Sequence, residues 1–283
     1  MRENTPMTAV RVCIDESYTP ASPDKPLILS GCVSSVLKWD RFDSAWKGIL
    51  RRYDLPYIHA EELVGNRGRF KRLSARHKQE LAKAIDHTMT RHLTAGFSSI
   101  LLPEDFEAYK KTGNSNLSNL LDSSYGVSFR VCISFLHSHV ASLFPNHDTK
   151  VYVLAETGHR NSGAATEIFR QYQRDNKDGP VTSVDYVSKD CFGVQAADVR
   201  GYLLLSDEGE GRASYKTIEP SASSIRKYMK EIQLPWFRLP ITKQILTDLR
   251  DNLILSRPKF AKLYGGYLSG SATSVADGLT RTS

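Results

Sequence analysis

The sequence has few cysteines and no long hydrophobic segment. Its four cysteines lie far apart, with neither CxxC nor CxH spacing: Cys13, Cys32, Cys132 and Cys191. We therefore expect reduced core thiols in a cytoplasmic protein, rather than disulfides or a zinc site. No segment approaches the length of a membrane-spanning helix, and the N-terminal residues lack the apolar stretch of a secretory signal. We therefore expect no membrane association.

Several common catalytic motifs are also missing. The segment "GGYLSG" near the C-terminus lacks the GK[ST] ending of a phosphate-binding loop, and there is no G-x-S-x-G or H-E-x-x-H. His137 and His139 are two residues apart in a predicted helix, where their side chains do not face each other. These absences disfavour P-loop, serine-hydrolase and zinc-dependent chemistry.

Positive charge exceeds negative charge, and part of it is concentrated in one segment. The formal net charge is +7, which favours an acidic partner. Residues 67–78, "RGRFKRLSARHK", contain no acid, and Phe70 interrupts the basic residues. Such a segment suits contacts to nucleic-acid phosphates, and the alternative is a solvated loop that leads into a helix. Its six cations are Arg67, Arg69, Lys71, Arg72, Arg76 and Lys78.

Strand and helix patterns alternate along the chain and predict an α/β layered domain with a mixed sheet. The segments "AVRVCID" and "LILSGCVSSVL" predict a hairpin, and three further strands are predicted at 94–102, 150–156 and 181–187. "YIHAEEL", residues 57–63, is predicted as a short strand or turn. "LPWFRLP", residues 234–240, is expected to pack into the core, with partner docking as the alternative.

Three acids occupy unusual positions. Asp15 and Glu156 each end an apolar strand, and Asp198 shares a helix face with apolar residues such as Val194. An acid at a strand end alone suits a cap or a hydrogen-bonded turn, and Asp198 alone could pair with an arginine. However, strand ends converge at the rim of a sheet, where α/β folds keep their sites. Clustered carboxylates stay ionised only beside positive charge, and Mg²⁺ or Mn²⁺ meets that need. Glu16 points to the opposite face of the strand from Asp15, so it is the second choice there.

Four segments together resemble a known family. "IDES", "IHAEEL", "LAETGHRNSG" and "GVQAADVRGYLLL" are similar, in that order, to the family catalogued as domain of unknown function 3800. The resemblance covers about residues 10–206. It implies a ribonuclease-H-like fold, a mixed five-stranded sheet flanked by helices on both faces, over residues 8–210. We expect a C-terminal helical extension at 211–266 packed on this domain, and a flexible tail at 267–283.

The resemblance also implies a metal-dependent nuclease with Mg²⁺ or Mn²⁺. Asp15, Glu156 and Asp198 would hold the metal, with Glu16 as a further ligand. His59 and Glu61 match the family's His-containing motif, and they become candidate catalytic residues, with a structural histidine as the alternative. The loop residues His159, Arg160 and Asn161 suit phosphate contacts or form a plain exposed loop. Lys189 and Gln195 could orient a ligand or substrate.

Three functions are compatible with these patterns. The first is a metal-dependent phosphodiesterase that acts on RNA or DNA. The second is a non-catalytic nucleic-acid-binding protein on the same scaffold, in which loss of Asp15 and Asp198 leaves affinity intact. The third is a metal hydrolase of small phosphorylated substrates, whose binding would depend little on salt. No feature favours a particular oligomeric state.

Overall fold

The computed structural model describes residues 6–17, 25–111, 123–145, 147–157, 162–210 and 234–255. These residues form a mixed sheet flanked by helices, which confirms the predicted α/β class. The strands are β1 (Met7–Ser17), β2 (Leu27–Ser35), β3 (Ala95–Leu101), β4 (Asp148–Glu156), β5 (Val181–Val187) and β6 (Trp236–Ile241). The helices are α1 (Val36–Arg52), α2 (Ala60–Val64), α3 (Ala75–His92), α4 (Pro103–Lys111), α5 (Ser124–Leu143), α6 (Ser162–Asp175), α7 (Phe192–Glu210) and α8 (Lys243–Leu255), with a 3₁₀ helix at Gly68–Arg72.

Alternate side chains of β1 contribute to a core on each face of the sheet. Val10, Val12 and Ile14 pack with side chains of α5 and α6, whereas Cys13 packs with side chains of α1, α3 and α7. This separation follows from the two-residue period of a strand. Because β1 is covered on both faces, its sequence is nearly continuously apolar up to Ile14.

The strand order places the ends of β1 and β4 side by side. The order is β5-β4-β1-β2-β3-β6, with β1, β2 and β3 antiparallel and with β4 parallel to both β1 and β5. Ile14 of β1 lies opposite Ala155 of β4. The residues that follow them, Asp15 and Glu156, therefore lie side by side at the C-terminal ends of these two parallel strands.

The expectation of five strands is wrong, because the described residues form a sheet of six. β6 pairs in parallel with β3, and it contains most of the "LPWFRLP" segment. Gly96 lies opposite Trp236, and a Cβ atom at Gly96 would come within 2.0 Å of the indole ring. Within residues 234–240, Leu234 and Leu239 are buried, and the two aromatic residues expected to enter the core, Trp236 and Phe237, are partly buried against it. The glycine opposite Trp236 makes the close pairing possible.

The described part of the expected C-terminal extension, residues 234–255, contributes a strand as well as a helix. α8 packs against α4, and Leu246 and Leu249 of α8 are buried in the same core as β1. This part of the chain therefore belongs to the sheet-centred domain. Residues 211–233 and the expected tail, 267–283, lie outside the described residues.

Residues 57–64 differ from the predicted strand or turn. The chain is extended up to His59, which is the N-terminal cap residue of α2. Two acids, Glu61 and Glu62, occupy the first turn of this helix, where they interact favourably with its positive end. Leu63 and Val64 are buried against the core, so packing stabilises this short helix.

None of the helices in the described ranges combines the length and apolar character needed to cross a membrane.

Candidate functional site

The three acids predicted to cluster do lie together at one edge of the sheet. Asp15 and Glu156 are 5% and 6% exposed, and their carboxyl groups are in hydrogen-bond contact. Burial, this contact and the nearby charge of Asp198 raise the pKa of Asp15 well above its usual value. The three residues come from β1, β4 and α7, so the fold creates a cluster that is not contiguous in sequence.

Asp198 is compensated by groups from outside its own helix. Its Oδ2 atom accepts a hydrogen bond from the Ala60 backbone N–H at 2.8 Å, and the Nε2 atom of His59 lies 3.9 Å from the same oxygen. Burial raises the pKa of Asp198, while the Ala60 N–H and His59 partly offset that rise. The predicted place of His59 in the site is therefore supported by its position beside Asp198.

Lys189 supplies a positive charge to the cluster. Its Nζ atom lies 3.3 Å from Oε1 of Glu156. Partial burial acts to lower the pKa of Lys189, but the carboxylates of Glu156, Asp15 and Asp198 outweigh that effect and raise it. Lys189 is thus a built-in counter-ion for the acids.

Gln195 connects three segments that surround the site. Its buried side-chain oxygen accepts hydrogen bonds from Trp46 Nε1 at 2.9 Å and from the Ile58 N–H at 3.0 Å. Its side-chain amide donates to the Lys189 carbonyl oxygen at 2.9 Å. Gln195 therefore fixes the segment at Ile58 and the segment at Lys189 relative to α7. The orienting role suggested from the sequence is thus a role in positioning protein segments. A polar residue on an apolar helix face is the signal that such partners are needed.

Two of the predicted site residues are directed away from the acidic cluster. Because α2 begins after His59, Glu61 does not point in the same direction as His59. It is exposed and pairs with Arg67 at 3.0 Å. Glu16 is on the opposite face of β1, where its charge contributes to a raised pKa of Tyr125 on α5, after burial as the main cause. His159, Arg160 and Asn161 lie outside the described residues.

The basic segment is largely engaged with its own surroundings. Phe70 is buried rather than available for stacking. Four of the six cations have polar partners: Arg67 with Glu61, Arg72 with Asp54, Arg76 with Glu80 and Lys78 with Asn66. Arg69 and Lys71 are exposed, and neither has a hydrogen bond or an ion pair within the described residues. These two are the cations of the segment best placed to meet an external anion.

The cysteines are free thiols, as predicted. Cys191, at the start of α7, forms a hydrogen bond with Cys13, and this bond, assisted by the backbone N–H groups of Val194 and Gly193, lowers the pKa of Cys191 to about 6. By contrast, burial raises the pKa of Cys32 to about 12.

The chemistry of the acidic cluster suits a hard divalent cation. All three candidate ligands are carboxylates, and the buried Oδ1 atom of Asp15 has no hydrogen-bond partner in the part of the chain that the structure describes. Within the described residues, no group of three or more His, Cys, Asp or Glu side chains is already arranged to hold a metal ion. Asp15 contacts Glu156 instead, and Lys189 supplies a positive charge to the cluster.

Comparison with protein-family models gives no match for this chain, and comparison with curated proteins gives none either. Its function is therefore inferred from the geometry of the acids and from the four sequence segments quoted above.

Proposed function

We propose that the protein is a metal-dependent nuclease that hydrolyses phosphodiester bonds in RNA or DNA. The observation that carries the proposal is the convergence of Asp15, Glu156 and Asp198 at one edge of the sheet. Burying three carboxylates together costs free energy, so the arrangement is best explained by a bound cation that offsets their negative charge.

We further propose that the scaffold is ribonuclease-H-like. In support, β1 to β5 by themselves form a mixed sheet with helices on both faces, which is the architecture that the family resemblance implies. β6 is added beside β3, at the far end of the sheet from β4 and β5. The extra strand therefore leaves the ends of β1 and β4, which carry Asp15 and Glu156, unchanged.

Asp15, Glu156 and Asp198 would hold Mg²⁺ or Mn²⁺. When bound, such a cation activates water for attack on phosphorus and stabilises the leaving oxygen. The Ala60 N–H keeps one Asp198 oxygen in place through its 2.8 Å hydrogen bond. His59, whose side chain is 31% exposed, is positioned to exchange a proton with the reacting groups.

Lys189 has a second role in this proposal. Its side chain is 68% exposed while its ammonium group contacts buried Glu156. The group can therefore contact a phosphate oxygen of the substrate once a cation neutralises the acids. A polymer is favoured over a small phosphorylated molecule because Arg69 and Lys71 provide further exposed cations, and the chain carries a net charge of +7.

The test is a cleavage panel with labelled RNA and DNA in Mg²⁺, Mn²⁺ or EDTA. We expect cleavage with either metal, none with EDTA, and a loss of at least about 100-fold for Asp15→Asn and Asp198→Asn, since even residues outside the ligand set commonly cost 10–100-fold. Asp40→Asn, at an exposed position on α1, is the matched control and should cleave normally.

Cleavage that persists in EDTA and in both site variants would reject the proposal. Retained nucleic-acid affinity without cleavage in any metal would instead identify the non-catalytic scaffold. Hydrolysis of small phosphate esters without nucleic-acid cleavage would identify the third function.

A further inference from the structure

An exposed aromatic residue lies next to the acidic cluster, in the segment between α1 and α2. Tyr57 is 37% exposed, and its hydroxyl donates a hydrogen bond to Glu62 Oε1 at 3.2 Å. It precedes His59 by two residues, so their Cα atoms are at most about 7 Å apart. The hydrogen bond holds the hydroxyl end of the ring in place.

The ring borders an open cavity of about 290 Å³. Its lining combines apolar side chains, an arginine and an acid: Leu55, Pro56, Tyr57, Glu62, Gly68, Arg69 and Phe70. The backbone of Gly68 has a φ of +54°, and a Cβ atom there would come within 2.4 Å of Glu62 Oε2. Glycine therefore allows the 3₁₀ helix to form a close wall of the cavity.

Two positive groups act on Tyr57. Arg69 lines the cavity, and Lys189 contacts Glu156 in the acidic cluster. Both charges reach the Tyr57 hydroxyl, because each opposes the rise in its pKa that Glu62 causes. A chain of phosphates that runs from the acids to the cavity would meet Lys189 first and Arg69 second.

A second open cavity, of about 450 Å³, extends this surface. It shares Leu55 and Pro56 with the first cavity, and Lys47 and Arg51 of α1 add further cations to its lining. The two adjoining cavities together form a groove, which is lined by apolar side chains, by cations and by two acids, Glu62 and Asp54. Grooves of this composition bind single strands, because bases stack on apolar and aromatic side chains while phosphates contact the cations.

We propose that this groove binds unpaired nucleotides, with a base stacked on Tyr57 beside the phosphate at the acidic cluster, so that the substrate is a single-stranded nucleic acid. The inference rests on the proposed nuclease function. In a duplex both faces of each base are already stacked, so a duplex cannot place a base in the cavity without unpairing it. Arg69 holds the phosphate of the stacked nucleotide, and Lys189 holds the next phosphate, at the acids.

The test measures binding separately from cleavage. In EDTA and in the Asp15→Asn background, fluorescence anisotropy with a labelled oligothymidylate should show weaker binding by roughly 5- to 150-fold for Tyr57→Ala, the range expected for losing one stacked base. Tyr57→Phe should bind within about twofold of the parent, because it keeps the ring. Tyr152→Ala, at a comparably exposed tyrosine of β4, is the matched control and should bind normally.

Arg69→Gln is an independent test of binding to the groove. It changes an exposed residue, and its result does not depend on whether Tyr57→Ala folds correctly. We expect its affinity to fall and its dependence on salt to become shallower by about one unit in a plot of log affinity against log salt. A matching duplex should bind equally well to the parent and to Tyr57→Ala. Equal single-strand affinity for parent and Tyr57→Ala, or equal losses for single strand and duplex, would overturn the inference.

The two proposals fail differently. If wild type cleaves with Mg²⁺ while Tyr57→Ala binds and cleaves single strands normally, the base site is wrong and the nuclease function stands. If Tyr57→Ala loses single-strand affinity but wild type cleaves nothing in any metal, the base site stands and the nuclease function is wrong.

Discussion

Asp198 occupies a helix face that is otherwise apolar, and the reason lies in residues far from it in sequence. The Ala60 N–H that hydrogen-bonds its carboxylate is 138 positions away. The sequence pattern indicates that Asp198 needs a partner, but a backbone N–H leaves no signature in the side-chain sequence. The ion pair between Glu156 and Lys189 is a second example, because it depends on how β4 and the segment before α7 are placed relative to each other.

At this scale we predict that Asp15→Asn stabilises the protein when metal is absent. Burial and neighbouring acids raise the pKa of Asp15 above its usual 3.8, so the folded state carries a penalty for ionisation that the unfolded state does not. The penalty appears above pH 3.8, grows until the pH passes the raised pKa, and is constant above it. In EDTA at pH 7.5, we expect the melting temperature of Asp15→Asn to exceed that of wild type by a few degrees.

Thermal unfolding at several pH values tests this prediction. The difference between Asp15→Asn and wild type should shrink as the pH falls towards 3.8, and Mg²⁺ should raise the melting temperature of wild type more than that of the variant. Asp40→Asn should behave like wild type, because its side chain is exposed. A lower melting temperature for Asp15→Asn at pH 7.5 in EDTA would contradict the linkage.

At the scale of elements, most strands and long helices follow from their residue patterns, and the exceptions have physical causes. The sequence of residues 57–63 predicts a strand or turn, because its apolar residues are too few to establish a helical period. Packing of Leu63 and Val64 and the acids of the first turn favour a short helix instead. The sequence of β6 does not predict a strand, because it contains Pro240 and has a weak strand pattern. An edge position tolerates proline, since the missing N–H can face away from the sheet.

The pairing of β3 with β6 predicts opposite effects for two glycine substitutions. Gly96→Ala places a methyl group 2.0 Å from the Trp236 ring, so we expect a loss of roughly 1–3 kcal/mol in the free energy of unfolding. Gly48→Ala is the control, because nothing lies within 4 Å of its Cβ position inside α1. We expect it to stabilise the protein by about 0.5–1 kcal/mol. Urea unfolding measures both, and equal effects of the two substitutions would argue against the β3–β6 pairing.

At the scale of the whole molecule, the net positive charge does not identify which cations are available to a partner. The 67–78 segment looks uniformly basic in sequence, yet Arg67, Arg72 and Arg76 are paired with acids from the surrounding surface. Arg69 and Lys71 remain as exposed cations without an ion pair in the described residues. A net positive charge favours anionic partners in general, but direct contacts to an anion depend on these individual side chains.

We therefore predict that two substitutions in the same segment differ in their effect on salt dependence. Lys71→Gln should reduce the slope of log affinity against log salt by about one for single-stranded nucleic acid. Arg76→Gln should change it less, because the Arg76 guanidinium is already held by Glu80 at 2.9 Å. Binding titrations at four salt concentrations measure both slopes. A change of equal size in the two variants would show that the whole segment acts as a diffuse charge.

The sequence by itself determined the α/β class, the free thiols, the hairpin of β1 and β2, and the identity of the three acids that converge. These depend on local periodicity and on where strands end, which are properties of short segments. The period of the strand also places Glu16 on the other face from Asp15. Tertiary structure alone decided that Glu61 is separated from those acids, that Lys189 and Gln195 contact the residues around them, and that Tyr57 borders a cavity. Each of these outcomes depends on the relative placement of segments distant in sequence, which burial and hydrogen bonding of the whole chain fix together.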